Sequence, residues 1–382
     1  MNVVDTVPVS TGTPELRTGS PDLDASLAAA GLDRLRAAVS AALTTFLDRE
    51  REVLGAMDPA LVPLVDEVRA LAGGGKRLRP AFAYWGWRGA SAGTGEDDAA
   101  VLRAVAALEF VHASALVHDD VMDGARTRRG RPATHVGFAA RHGGAELAGD
   151  GDAFGTGAAI LVGDLALVWS DELLGSSGLS PESLTRARAV WDTMRSEVTA
   201  GQYLDLLRAA GGLPGSHGAL TVARYKSAGY TVQRPLQLGA AIAGAGTEVT
   251  EACTAIGLPL GEAFQLRDDV LGVFGDPAVT GKSADDDLRE GKQTLLIALA
   301  EEQADDRGRA LLRDLLGNAE AGPEEFDALR RLLEATGARS RVEERITEQT
   351  ARARAAIAGA PLADDARAAL DALAVAATSR TA

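Results

Sequence analysis

The chain holds a single cysteine, Cys253, in 382 residues. No internal disulfide can form, which fits a reducing cytoplasm, and Cys253 reads as a small apolar filler. An excess of positive charge is also lacking. Lys and Arg number 39 against 54 Asp and Glu, for a net charge of −15. A nucleic-acid binder is usually basic, so no nucleic acid is expected as a partner. No apolar run reads as long enough to span a bilayer, so the chain is not expected to be membrane-spanning. The N-terminus, MNVVDTVPVSTGTPELRTGSPD, has no cationic start and no apolar core. Residues 1–22 therefore read as a disordered tail and not as a signal peptide. No repeat of fixed period and no Pro/Ser-rich linker interrupts the rest, so residues 23–382 read as one domain.

What is present is helix. Apolar residues make up 46% and charged ones 24%, as in a globular protein. Ala, Leu, Arg and Glu dominate and β-branched runs are short. The pattern predicts helices at about 22–53, 59–72, 78–90, 97–122, 156–175, 181–209, 217–243, 248–273, 292–317, 323–336, 338–359 and 362–379. Two long interruptions remain, 124–155, rich in Gly, Arg and His, and 274–291, which holds a Gly-Asp-Pro break. The fold class is all-α.

The helix over 97–122 runs into HDDVMDGARTRRG, where three carboxylates precede a cluster of arginines. Asp119 and Asp123 are four apart and share one face near the helix C-terminus. The helix dipole is negative there, so something must offset the repulsion. A solvated acidic helix end is the bland reading. A divalent cation is the sharper one, since Mg²⁺ takes one or two carboxylates and completes its shell with water and phosphate. A second apolar helix, GEAFQLRDDVLGVFGDP, ends in Asp268 and Asp269, with Asp276 beyond. Two facing acidic mouths need cations between them, and several Mg²⁺ ions bridging a diphosphate would supply them. Arg128, Arg129, Lys226, Lys282 and Lys292 could then approach anionic oxygens. GGGKRLRP, from Gly73 to Pro80, adds Lys76, Arg77 and Arg79 after a glycine run. It lacks the spacing of a nucleotide-hydrolase phosphate loop. The stretch from Asp276 to Asp287 resembles a calcium loop only in part, because Ala278 and Thr280 supply no carboxylate.

Together these segments closely resemble the trans-isoprenyl diphosphate synthases, the head-to-tail prenyltransferases, and the bacterial geranylgeranyl diphosphate synthases among them. GGGKRLRP matches the family's Gly-Lys-Arg segment, LVHDDVMD its first Asp-rich motif and TRRGRPATH the arginines that follow. KSAGYT matches its Lys-Ser/Thr segment, FQLRDD its second Asp-rich motif and GKSADDDLREGKQT the loop after it. The likeness covers about 55–380. The second motif departs at Gly272, where many members carry Asp, so no metal role is assigned to that position. Ser283 stands where members often have Pro.

The resemblance implies a helical bundle around a deep apolar pocket and an Mg²⁺-dependent condensation of isopentenyl diphosphate with an allylic diphosphate: dimethylallyl, geranyl or farnesyl. By position, Asp119, Asp123 and Asp268 would hold Mg²⁺, three ions per active site. Arg128, Lys226 and Lys282 would grip the allylic diphosphate, and Lys76, Arg79, His112 and Arg129 the isopentenyl diphosphate. Gln265, Lys226 and Ser227 would face the developing carbocation. A lone helical His is more often a satisfied core residue, and only the motif match makes His112 a site residue. His118 reads as structural, and Gln202 and Asp205, at i and i+3, as possible pocket borders. A homodimer is the family's usual state.

A terpene cyclase is the nearest rival. Its second motif needs an Asn, and Asn2 and Asn318 are the only two here, neither in a suitable helix. A non-catalytic subunit is the other rival, and it would be expected to have lost the acidic motifs. Chain length is read from Ser114 and Ala115, five and four places before Asp119, about 6–8 Å below it at helical rise. Members that stop at C15 typically carry a bulky aromatic near here, so small residues imply C20, with C15 or C25 and longer as alternatives. Leu108, Trp169 and Met194 are candidate floors. Small residues that merely allow close helix packing are the alternative explanation.

Overall fold

The computed structural model describes residues 21–90, 95–276 and 284–378, with the backbone alone for 21–30. The tail expectation over 1–22 falls almost wholly outside the described residues, as do Lys282 and Ser283. Sixteen helices are seen among the described residues: α1 Pro21–Met57, α2 Val62–Ala72, α3 Leu78–Ala90, α4 Asp98–Met122, α5 Thr134–Gly144, α6 Gly151–Gly175, α7 Pro181–Ala209, α8 Gly215–Val222, α9 Arg234–Ile242, α10 Thr247–Phe274, α11 Asp286–Arg289, α12 Leu295–Gln303, α13 Asp306–Leu315, α14 Pro323–Ala335, α15 Ala338–Gly359 and α16 Asp364–Thr378. A single 3₁₀ turn, Pro59–Leu61, precedes α2.

Helix α4 is apolar on every side, and a helix of that kind is buried. It packs against α1, α2, α3 and α6 in the larger of two apolar clusters. Helix α10 carries the smaller cluster, with α8 and α12 to α15 around it. Starts follow local chemistry. The Asp150 carboxylate accepts from the amides of Asp152 and Ala153 at the head of α6, and the Ser180 hydroxyl caps α7 ahead of Pro181.

Four departures from the sequence reading stand out. Residues 124–155 are not wholly irregular. Thr127–Arg128 pairs antiparallel with Arg131–Pro132, and α5 follows. Arg129 and Gly130 form the two-residue loop with φ of 52° and 72°, the backbone such a hairpin demands. Helix α5 holds Gly137, Gly143 and Gly144, which depress helix propensity. It packs on α6 with Phe138 and His142 buried, so tertiary contact overrides propensity.

The span predicted as 292–317 is two helices, because the backbone turns extended at Ala304 and Asp305 caps α13. The span predicted as 217–243 is helical throughout, but Ala223–Gln233 is π-helix. Finally, α4 and α6 are each 25 residues and apolar enough by length and composition to cross a bilayer, contrary to the expectation from sequence. In α4 72% of that apolar window is buried inside the protein, in α6 only 39%. Helix α4 is thus a core helix of the bundle, and α6 has an apolar outer face.

Candidate active site

The C-terminal end of α4 carries the first acidic cluster. Asp123 is its cap, with its amide donating to the Asp119 carbonyl at 2.8 Å. The Asp119 carboxylate accepts from Lys226 Nζ at 2.9 Å and from Gln202 Nε2 at 3.0 Å. Lys226 Nζ also donates to Asp205 Oδ2 at 2.6 Å. Gln202 and Asp205, read only as possible borders, are therefore direct partners of the predicted residues. Lys226 reaches this place from the π-helical segment. An extra residue per turn lets a helix re-aim one side chain, and such segments recur at functional sites. The packing depends on small neighbours. A Cβ at Gly201 of α7 would collide with the Lys226 amide nitrogen and lie 2.7 Å from its Cα. A Cβ at Gly261 of α10 would lie 2.6 Å from the Ala228 Cα.

Electrostatics follow the burial. Burial by itself would raise the Asp119 carboxyl, but Lys226 overrides it and holds the group below the usual value. Asp123 has no such partner. Burial, with Asp119 beside it, pushes it up to about 6. Burial would lower the Lys226 ammonium, and Asp119 with Asp205 raises it instead. Arg128 donates from Nε to Asp120 at 2.8 Å and stands 3.9 Å from Asp119. Asp120 is 1% exposed, so it serves to hold Arg128.

On α10, Asp268 is exposed and Asp269 half-buried. Burial and then the neighbouring Asp287 and Asp268 push Asp269 up to about 7, against the Gln265 hydrogen bond that lowers it. Gln265 Nε2 donates to Asp269 Oδ1 at 2.7 Å, so its amide is tied to its own helix. Ser227, half-buried, follows Lys226 in the π-helical segment. Lys292 lies 2.7 Å from Asp287 and 3.1 Å from Glu290.

A second polar group lies further along the same face of α4, two turns from Asp119 at His112. The Arg79 guanidinium stacks over the Tyr230 ring at 4.4 Å and donates to the Thr231 hydroxyl at 3.2 Å. His112 lies 6.4 Å from the same ring, centroid to centroid. Burial, then Arg79, Arg129, Arg128 and Arg77, keep its imidazole well below the usual value, so it is neutral. Arg129 donates to the Leu71 carbonyl at 3.3 Å. Several guanidiniums thus bear on one half-enclosed place, an arrangement that favours an anion. Arg79 Nε, His112 Nδ1 and Tyr230 Oη are buried there without a protein partner.

Tyr230 was not read from the sequence as a site residue. Its place four after Lys226 was the available signal. Arg77 separates from its neighbours. It turns into the core to pair with Glu109 of α4 and takes φ of 54°. Lys76 is exposed on the loop between α2 and α3.

Below Asp119 the α4 face is read from accessibility. Asp119, Ala115 and His112 are all partly accessible, at helical spacing, and Leu108 on the same face is fully buried. Accessibility along this face thus falls from Asp119 to Leu108. Ser114 is off that face, 4% exposed. Trp169 joins an aromatic cluster with Phe46 and Phe110, and Met194 is 1% exposed. A separate groove of about 720 Å³ opens between α6 and α7, lined by Leu167, Arg195, Thr199 and Tyr203 among others.

The donors at the two helix ends are oxygens alone, the set that suits Mg²⁺. Among the described residues no three such groups converge into a preformed cage.

Known proteins bear this out at the level of family. Residues 64–333 match the polyprenyl synthetase family model. A solved structure from Corynebacterium glutamicum, a geranylgeranyl pyrophosphate synthase complexed with isoprenyl diphosphate and magnesium, is 41% identical. It covers 92% of this chain and 99% of its own, with a TM-score of 0.88. The geranylfarnesyl diphosphate synthase of Aeropyrum pernix is 33% identical over 76% of this chain and 85% of its own length. The (2E,6E)-farnesyl diphosphate synthase of Mycobacterium bovis is 33% identical over 69% and 68%. The chain belongs to the polyprenyl synthetase family and is a trans-prenyltransferase that makes a prenyl diphosphate.

Proposed function

We propose that the chain condenses isopentenyl diphosphate with dimethylallyl, geranyl and farnesyl diphosphates to all-trans geranylgeranyl diphosphate, C20. The observation that carries this reading is the α4 face below Asp119, where Ala115 and His112 are partly accessible and Leu108, eleven residues or about 16 Å away, is fully buried. Ala115 puts only a methyl group on that face, so a chain beyond its first isoprene units can pass. The relatives' names span C15 to C25, which leaves this face to decide.

In this reading Asp119, Asp123 and Asp268 hold Mg²⁺, three ions per site. The metal, when held there, would supply charge neutralisation of the leaving diphosphate as the allylic C–O bond ionises. Arg128 and Lys226, already aimed at Asp119, turn to the allylic diphosphate, joined by Lys282, which lies outside the described residues. Arg79, His112 and Arg129, with Lys76 from the rim, take isopentenyl diphosphate, and Tyr230 borders it. Two groups of cations, one at Asp119 and one two turns back at His112, suit two diphosphates better than one. Gln265 and the Lys226–Ser227 backbone offer dipoles to the carbocation. Attack by the isopentenyl double bond forms the new C–C bond, and the departing diphosphate takes the released proton.

Residues 23–382 act as one catalytic domain, in the cytoplasm, as a homodimer. The exposed stripe Phe154, Leu161 and Val168 on α6, seven residues apart, is the face for the second copy. Chromatography of dephosphorylated products from each starter tests the chain length. C20 from every starter supports the reading, and a main C15 or C25 product replaces it.

A further inference from the structure

Gly272 stands near the end of α10, four residues after Asp268 and three after Asp269. A side chain there would share a face with those carboxylates. The resemblance leads one to expect an acid at this position, and the chain has none. The space is nevertheless filled. A Cβ built on Gly272 would fall on Oδ2 of Asp287, 2.8 Å from its Cγ and 3.6 Å from its Cβ. A side chain added at 272 requires the Asp287 carboxylate to swing away from Lys292.

Asp287 is brought there by α11, which packs on α10. Leu288, its neighbour, is 1% exposed and roots α11 in the smaller apolar cluster. The Lys292 amide donates to the Asp287 carbonyl at 3.0 Å, and Lys292 Nζ donates to its carboxylate at 2.7 Å. The backbone at Asp287 is thus anchored by Leu288 and the Lys292 amide, and its carboxylate is held by Lys292 Nζ.

We propose that Asp287 is the last acid of the second Asp-rich segment, carried on α11 instead of α10, and that Gly272 is glycine because this carboxylate occupies its side-chain volume. Asp287 is a positioning residue. It anchors Lys292 at the acidic mouth and adds a third negative charge beside Asp268 and Asp269. The inference rests on the metal reading of Asp268 given above. It makes positions 272 and 287 an exchangeable pair, so that one carboxylate can be moved from one backbone to the other.

The test moves it. Mg²⁺ is titrated by calorimetry into the full chain holding inorganic diphosphate, and melting temperature is measured alongside. Asp287→Asn keeps the shape and removes the charge, and it should weaken Mg²⁺ binding about tenfold or more, the cost usual for a supporting group around a metal. Gly272→Asp alone should lower the melting temperature, since two carboxylates would contend for one volume. The exchange Gly272→Asp with Asp287→Ala should bind Mg²⁺ more tightly than Asp287→Ala alone, recovering most of the roughly tenfold loss. Wild-type Mg²⁺ affinity in Asp287→Asn overturns the proposal, and so does a folded exchange variant no better than Asp287→Ala. If the exchange variant does not fold, the Asp287→Asn result decides. Asp268→Ala separates the two readings: unchanged Mg²⁺ affinity there would refute the metal assignment itself, whatever Asp287 does.

Discussion

Lys226 Nζ lies 2.9 Å from Asp119 Oδ1, so a lysine of the π-helical segment neutralises the first acid of the α4 cluster. Each group protects the other from the cost of burial. In the proposed function Asp119 would turn to Mg²⁺ and Lys226 to a phosphate oxygen, so both partners of this pair would be exchanged together. Asp119→Ala, Asp123→Ala and Asp268→Ala should each lower turnover by orders of magnitude with the fold retained. Chelator should abolish wild-type activity and added Mg²⁺ restore it. Full turnover in excess chelator would refute the metal reading.

The raised carboxyls predict a pH dependence. Asp123 at about 6 and Asp269 at about 7 lie above their ordinary value of 3.8. In the metal-free protein these two groups bind more protons in the folded than in the unfolded state between about pH 4 and 7, so their contribution to stability falls as pH rises, while His112, kept neutral by the fold, contributes in the opposite sense below its ordinary 6.5. Asp269→Asn should therefore make the melting temperature rise more, or fall less, over this window than in the wild type without metal. Mg²⁺ affinity should rise over the same window, since the metal needs ionised carboxylates. An unchanged pH slope in Asp269→Asn would contradict the first, and a pH-independent Mg²⁺ affinity the second.

The two cationic groups should separate in kinetics. Arg79→Ala and His112→Ala should mainly raise the apparent KM for isopentenyl diphosphate. Lys226→Ala and Lys282→Ala should mainly affect the allylic substrate and turnover. Tyr230→Phe removes only the hydroxyl and should act on the isopentenyl diphosphate KM alone. Identical effects of all these variants on both substrates would show the division to be wrong.

Product length should follow the α4 face below Asp119. Ala115→Phe should shorten the main product by about one five-carbon unit, because a ring fills space on that face. Ser114→Phe, off that face, should disturb packing more than product length, and Leu108→Ala should admit a longer product. Wild-type chain length in active Ala115→Phe and Leu108→Ala would place the floor elsewhere.

The α6 stripe predicts the assembly. Leu161, 60% exposed, is a large apolar group with no partner in its own chain's core. Leu161→Glu should convert a dimer to a monomer in light scattering after size-exclusion chromatography. A monomeric wild-type chain would remove this face as a self-interface.

Periodicity and motif spacing determined the all-α class, most helix positions and the residues at both acidic helix ends, because those features are local. An apolar repeat of 3.6 or a pair of acids four apart is written within one turn or two. Pairings made between distant segments were settled only in three dimensions. Gln202 meets Asp119 across 83 residues, and nothing in the α7 sequence names that partner. The π-helical step at Lys226 comes from close approach by α7 and α10 at glycines that look unremarkable in their own helices. Arg77 and Arg79, two apart, end up in a core ion pair and in a polar group, because the left-handed backbone at Arg77 turns them apart. The empty position at Gly272 read as a loss in one dimension. The structure fills it with a carboxylate fifteen residues away, since only folding decides which side chain takes a given volume.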